Sequence, residues 1–269
     1  MNPLQSSKLP AAGAASTGIA PTHRRLRVAT YNIHKGVRGM GPARRLEIHN
    51  LSLGVKALDA DLVFLQEVRR LNHQEARRFS GSWPDVPQAE FLAPKGYDVA
   101  YHTNAVTRHG EHGNALLSRW TVGDVQHQDV SDHRFEQRGL LHAKVDWGGR
   151  EVHAIVAHFG LGHSGRVRQA GRLGEFIESR IPHDAPLVVA GDFNDWGERL
   201  DEVFRDSTLQ RALLPSGQRV NTFPSRVPVF ALDRIYTRRF HCVAMHVPRG
   251  TMWARMSDHL PLVAEFEFT

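Results

Sequence analysis

Short apolar runs recur along the chain, and several stop abruptly at a side chain able to bind a metal ion or a phosphate. The clearest is 186–190, followed by Gly191-Asp192-Phe193-Asn194, where a buried strand would deliver a carboxylate and an amide to the edge of a sheet. The run 26–31 ends at Asn32, 62–66 at Glu67 and 152–157 at His158, and Ser257-Asp258-His259 opens the last apolar run. Strands are predicted near 26–33, 61–67, 97–101, 114–118, 139–146, 150–158, 186–191, 232–237 and 261–268. One helix is predicted to open at Pro42 with Leu46, Leu53 and Ala57 on its inner face. A second opens near Ser164 as N-cap, with Val167, Ala170, Leu173, Ile177 and Ile181 on one stripe. Gly171 and Gly174 weaken that second helix by about 1 kcal/mol each. Many strands, few helices and buried-looking runs in both halves predict two packed sheets with helices outside.

Composition narrows the setting more than the chemistry. The length of 269 residues is ample for a hydrophobic core, and no apolar run approaches the roughly 20 residues of a membrane span. Residues 1–25, rich in Ser, Ala, Gly and Pro, read as a flexible tail without the apolar block of a secretory signal, and 26–269 as one catalytic domain. Cys242 is the only cysteine, so an internal disulfide is impossible, and a cytoplasmic location is expected. One cysteine and no H-E-x-x-H spacing also argue against a zinc site. The net charge of +6 is spread along the chain and tilts the expected partner towards nucleic acid. A monomer is expected.

The polar strand endings match what hydrolysis of a phosphate ester requires. Mg²⁺, with Mn²⁺ as substitute, prefers oxygen ligands, for which Glu67 is the main candidate, with Asn32 and Asp258 beside it. Asp192 suits the carboxylate that orients an attacking water, and Asn194 can donate to the attacking oxygen or the phosphoryl group. His158 and His259 are the imidazoles available to developing charge. Asp233, an acid inside the strand-like run 232–237, is the candidate to orient His259. Other histidines (His34, His109, His112, His133 and His163) are secondary candidates for the pocket.

Taken in order, Thr30-Tyr31-Asn32, Leu65-Gln66-Glu67-Val68, Gly113-Asn114-Ala115-Leu116-Leu117-Ser118, Ala157-His158-Phe159, Gly191-Asp192-Phe193-Asn194, Leu232-Asp233-Arg234-Ile235 and Ser257-Asp258-His259-Leu260-Pro261 resemble the endonuclease/exonuclease/phosphatase superfamily. The resemblance covers roughly 26–268 and is closest to its small bacterial members. It implies the DNase-I-like α/β fold, a four-layer sandwich of two mainly antiparallel sheets flanked by helices. It also implies a divalent metal and direct attack by water. The roles it implies are Asn32, Glu67 and Asp258 at the metal, Asp192 and Asn194 at the nucleophile, His158 at the phosphate, and Asp233 partnering His259.

Substrate is less defined. Such families include nucleases, sphingomyelinases and inositol-polyphosphate phosphatases, and residues 221–228 lack the tryptophan- and tyrosine-rich loop of abasic-site nucleases. A nuclease is favoured, with a phospholipid or small phosphodiester as alternative. A non-catalytic phosphate-binding module is the alternative of another class. Arg138 could clamp a second phosphate or form a surface ion pair, and Arg166 and Arg168 are read mainly as a solvated helix face. Phe223 and Trp253 could form an aromatic rim or pack under their loops, and His34 is a further candidate for contact with substrate.

Overall fold

The computed structural model describes residues 25–133, 136–205, 207–214 and 216–269, so the expected tail lies outside the described residues apart from Arg25. Strands β1 (Arg25–Asn32), β2 (Val37–Arg38) and β3 (Arg45–Leu46) precede helix α1 (Ile48–Leu58) and strand β4 (Leu62–Asn72). Helices α2 (His73–Arg78) and α3 (Gln88–Leu92) lead to β5 (Asp98–Thr107), β6 (Gly110–Ser118), β7 (Val122–Asp129), β8 (Gly139–Asp146) and β9 (Glu151–His158). The remainder is α4 (His163–Arg180), β10 (Leu187–Asp192), α5 (Leu200–Val203), β11 (Gln210–Arg211), β12 (Asp233–Arg238), β13 (Phe240–His246), α6 (Trp253–Met256) and β14 (Leu262–Phe268).

Two six-stranded sheets form, in the orders β13-β14-β1-β4-β6-β5 and β11-β12-β10-β9-β8-β7. Val28, Phe64 and Leu116 of the first meet Leu141, Val156, Val188 and Ile235 of the second in the central core. On the first sheet's outer face, Leu51 and Val55 of α1 and Trp253 of α6 cover Tyr31, Leu65 and Val263. On the second sheet's outer face, Leu173 and Ile177 of α4 cover Ile155, Leu187 and Val189. The layers therefore run helix, sheet, sheet, helix, as the resemblance implies.

Each sheet contains one parallel pair among otherwise antiparallel neighbours: β1 with β4, and β9 with β10. Parallel neighbours end at the same edge, and here both pairs end at the same end of the sandwich. Side chains alternate faces along a strand. Because Val28 and Val188 face the central core, Asn32 and Asp192, four residues further along each strand, point into the seam between the sheets. Val156 and Ile235 place His158 and Asp233, each two residues away, on that inner face by the same alternation.

The structure corrects several local expectations. Of the four edge strands of the large sheets, β7 and β13 escaped the sequence pattern because their faces are largely solvated and lose the apolar alternation. The segment after Pro42 is a short 3₁₀ turn followed by β3, so Leu46 belongs to a strand and Leu53 and Ala57 are exposed. Helix α1 begins at Ile48, and its buried stripe is Ile48, Leu51, Val55 and Leu58. Helix α4 starts after Gly162, with Ser164 inside it and Val167 exposed. Arg166 and Gln169 occupy that buried stripe because they hold the loop after β9: Arg166 donates to the Gly160 and Leu161 carbonyls, and Gln169 accepts from the Gly160 N–H.

Candidate active site

One carboxylate lies at the centre of the seam. Asp192 Oδ2 accepts from Asn32 Nδ2 at 3.0 Å, a hydrogen bond that joins the two sheets. The same oxygen lies 3.6 Å from His158 Nε2 and 3.6 Å from His259 Nε2. Its other oxygen accepts the Asn194 N–H at 2.9 Å, while the Asn194 side chain donates to the Phe159 carbonyl at 3.0 Å. Asn194 holds a left-handed backbone (φ 49°), which turns the chain back over the carboxylate it follows. His259 Nδ1–H donates to Asp233 Oδ2 at 2.8 Å, leaving Nε2 directed at Asp192.

Burial and neighbouring charge set the protonation of this group. Burial pushes the Asp192 carboxyl up to about 6, against the pull of the His259 charge. Burial alone would lower His259, but the carboxylates of Asp233 and Asp192 override it and push the imidazole up to about 10. His158 moves the other way, well below its usual value, through burial and the positive charges of Arg138 and His259. The site thus pairs a charged imidazole with a neutral one, both facing a single carboxylate.

Glu67 lies on the opposite side of the seam. Strand β4 shifts register between Leu65 and Val68, and Glu67 within that bulge has φ 57°. The bulge re-aims Glu67, which strict alternation would send towards the outer face. Its buried Oε2 is ion-paired with the Lys35 ammonium 3.2 Å away. That positive charge, acting against burial, holds the Glu67 carboxyl below its usual range. Asp258 Oδ2 lies 3.2 Å from His34 Nδ1, and Asn32 Oδ1 accepts the His34 N–H at 3.1 Å. The hydrogen bond from His34 and the charge of His259 outweigh burial and hold Asp258 down at about 2.

Two groups of side chains could hold a cation. Ligand atoms of Asp192, Asp233 and His259 lie within 4.8 Å of one another. In that group His259 donates through Nδ1 to Asp233, and the neighbouring carboxylates favour its protonated form, in which no lone pair is left for a metal. The Glu67 side fits better. It offers a buried carboxylate whose Oε2 is ion-paired with the Lys35 ammonium, which already marks a place for positive charge. Its donors are the hard oxygens that Mg²⁺ selects.

The secondary candidates scatter. Phe223 packs against His259 with ring centroids 4.8 Å apart and planes tilted by 51°, and meets Trp196 edge-on at 5.4 Å. Trp253 does not reach the rim: it is 9% exposed, its ring meets Tyr31, and α1 passes over it at Gly54. Arg138 donates to the Phe159 carbonyl at 3.1 Å and reaches Glu136 at 3.3 Å, so its position is fixed beside His158. Arg168 is an exposed partner of Asp132, and Arg166 is buried rather than solvated. His112, His133 and Arg138 line a shared cavity of about 730 Å³. Lys35 was not anticipated, because a single lysine in a loop carries no pattern; its backbone (φ 60°) is one of three consecutive left-handed residues, His34 to Gly36.

Residues 29–259 match the model of the Endonuclease/Exonuclease/phosphatase family. The chain is 36% identical over 247 residues to the uncharacterized protein YbhP of Escherichia coli (strain K12), spanning 89% of this chain and 95% of that one. A shorter stretch of 117 residues is 29% identical to sphingomyelinase C of Leptospira interrogans, 37% of this chain and 20% of that protein. The crystal structure of an endonuclease/exonuclease/phosphatase from Beutenbergia cavernae superposes with TM-score 0.69 at 22% identity, over 91% of this chain and 72% of that one.

Proposed function

Because the chain belongs to the endonuclease/exonuclease/phosphatase family, whose members hydrolyse phosphoesters, we propose that it is a divalent-metal-dependent phosphodiesterase acting on nucleic acid. The observation that carries this reading is Asp192, a buried carboxylate with Asn32, His158 and His259 all directed at one oxygen. Asp192 accepts a proton from a water and aims it at phosphorus, with Asn32 and the Asn194 N–H fixing the carboxylate's rotation. His259, held charged and oriented by Asp233, donates from Nε2 to a phosphoryl oxygen as negative charge grows there. His158, kept neutral, supplies a second contact on the same face. Glu67, with Asn32 and Asp258, is the proposed metal position, and a bound Mg²⁺ or Mn²⁺ would neutralise charge on the phosphoryl and leaving oxygens.

The net charge of +6 supports a nucleic-acid substrate, and the single thiol of Cys242 suits a reducing cytoplasm. Two observations support a second reading, a phospholipid phosphodiester. They are the partial match to a sphingomyelinase C and the half-exposed Trp196 and Phe230, whose rings meet at 5.0 Å beside Phe223.

The deciding experiment is cleavage of supercoiled plasmid and of a labelled single-stranded oligonucleotide with Mg²⁺, Mn²⁺ or EDTA, using His259→Ala as control. Metal-dependent cutting lost in the variant is expected. Folded, metal-supplied protein that cuts neither nucleic acid but hydrolyses sphingomyelin would move the substrate to phospholipid. Inactivity on every phosphoester would sink the enzyme reading.

A further inference from the structure

A second cavity, of about 440 Å³, opens beside the centre and is ringed by Arg226, Arg249 and Arg255, with Ser225 and Leu260 in its wall. It shares two backbone segments with the site. Leu260 directly follows His259, and the Ser225 N–H donates to the Asp258 carbonyl at 2.7 Å. Phe223, whose ring packs at a tilt against His259, lies two residues before Ser225. The wall of the cavity is therefore continuous with the chain that carries His259.

The three arginines are exposed, and among the described residues their guanidinium groups have neither an ion pair nor a hydrogen bond. Other exposed arginines do find acids: Arg25 pairs with Glu267, Arg119 with Asp59 and Arg168 with Asp132. No carboxylate lines this cavity. Arg255 also borders a neighbouring cavity containing Glu47, but that acid is engaged by Arg45 at 3.6 Å and Asn50 at 2.8 Å. A fourth guanidinium, Arg38, is held behind the wall by the Ala254 and Ser257 carbonyls, and burial and the charge of Arg226 both disfavour its charged form. Like charges converging on one concave surface repel one another, and an anion in the cavity would remove that repulsion. Guanidinium groups match the planar donor geometry that phosphate oxygens accept.

We propose that this arginine-ringed cavity is a second phosphate site, which holds a neighbouring phosphate of a nucleic-acid strand while the reacting phosphate sits between Asp192 and His259. The proposal rests on the phosphodiesterase reading and sharpens its substrate to a chain with more than one phosphate. The cavity would set where on the strand the enzyme acts, since phosphate contacts fix register without reading sequence.

The test separates binding from turnover. Full-length Asp192→Ala protein is titrated with a fluorescent single-stranded oligonucleotide, with and without Arg226→Ala, Arg249→Ala and Arg255→Ala together. The triple change is expected to weaken binding about tenfold or more at low salt and to lower the log–log salt slope by about 0.7, the share of one phosphate contact on a single strand. A triple Lys version should recover most of the loss. In the active background, the ratio of kcat/KM for the oligonucleotide to that for bis(p-nitrophenyl) phosphate, which has one phosphate, should fall about tenfold, through KM. An unchanged titration and ratio overturn the proposal. So does an oligonucleotide affinity that persists while binding to phosphatidylglycerol vesicles is lost. If neither substrate turns over, the phosphodiesterase reading fails, and the oligonucleotide titration still decides the cavity.

Discussion

Asp192, His259 and Asp233 behave as one unit, because each sets the protonation of the next. In the proposed roles Asp192 would work ionised as a base, above its value of about 6, and His259 protonated as a donor, below about 10. The pH profile of kcat/KM should therefore rise through about 6, stay level, and fall through about 10, the two limbs belonging to the coupled group rather than to single residues. Asp233→Asn removes the largest charge favouring the imidazolium, so its falling limb should move to lower pH while the rising limb changes little. A falling limb that stays in place in Asp233→Asn would remove His259 from the mechanism. Asp192→Ala should lower kcat by about 10²–10⁴ with a thermal midpoint close to that of the parent, as expected for general-base catalysis. A comparable loss of folded protein would instead give Asp192 a structural role.

The elements explain why so much of this was readable in the sequence. Central strands buried on both faces leave continuous apolar runs, and the polar residue ending each run is the one the strand carries to the seam, as at Asn32, His158 and Asp192. Two features were less legible. Glu67 was readable as the end of its apolar run, but the bulge that turns it to the seam leaves no periodic trace, and Lys35 lies in a turn whose left-handed backbone the sequence does not announce. Edge strands β7 and β13 and the phase of α1 were lost because half-solvated elements mix polar and apolar positions. Closeness of the parallel strands β9 and β10 adds a further requirement at Gly191, where a Cβ would collide with the Ala157 carbonyl of the neighbouring strand. Gly191→Ala should therefore separate His158 from Asp192 and cost about 3 kcal/mol of stability, the upper range for overpacking. Chemical denaturation and turnover should both show it; an intact midpoint with full activity would mean that the strands can part without consequence.

At the scale of the molecule, the site lies where two independently hydrogen-bonded sheets meet, and only a few polar contacts bind them there. Asn32 to Asp192 is one; Asn114 of β6, donating to the Gly139 and Val156 carbonyls of the other sheet, is another. Glu67, Asp192, Asp233 and Asp258 converge on this seam, where the Lys35 ammonium and the His259 imidazolium balance part of their charge. A divalent cation on the Glu67 side would take the place of the Lys35 charge and bind only the folded arrangement. Linkage then requires stabilisation: at a metal concentration of about 100 times Kd the gain is about 2.7 kcal/mol. For a chain of this size that is a rise of roughly 5–10 °C in the unfolding midpoint. Thermal unfolding in EDTA against excess Mn²⁺ measures it without any turnover. Glu67→Gln keeps the shape but removes the charge, and should abolish most of the rise. An equal rise in that variant would move the metal away from Glu67, towards Asp192, Asp233 and His259, and would make His259 a ligand rather than a proton donor.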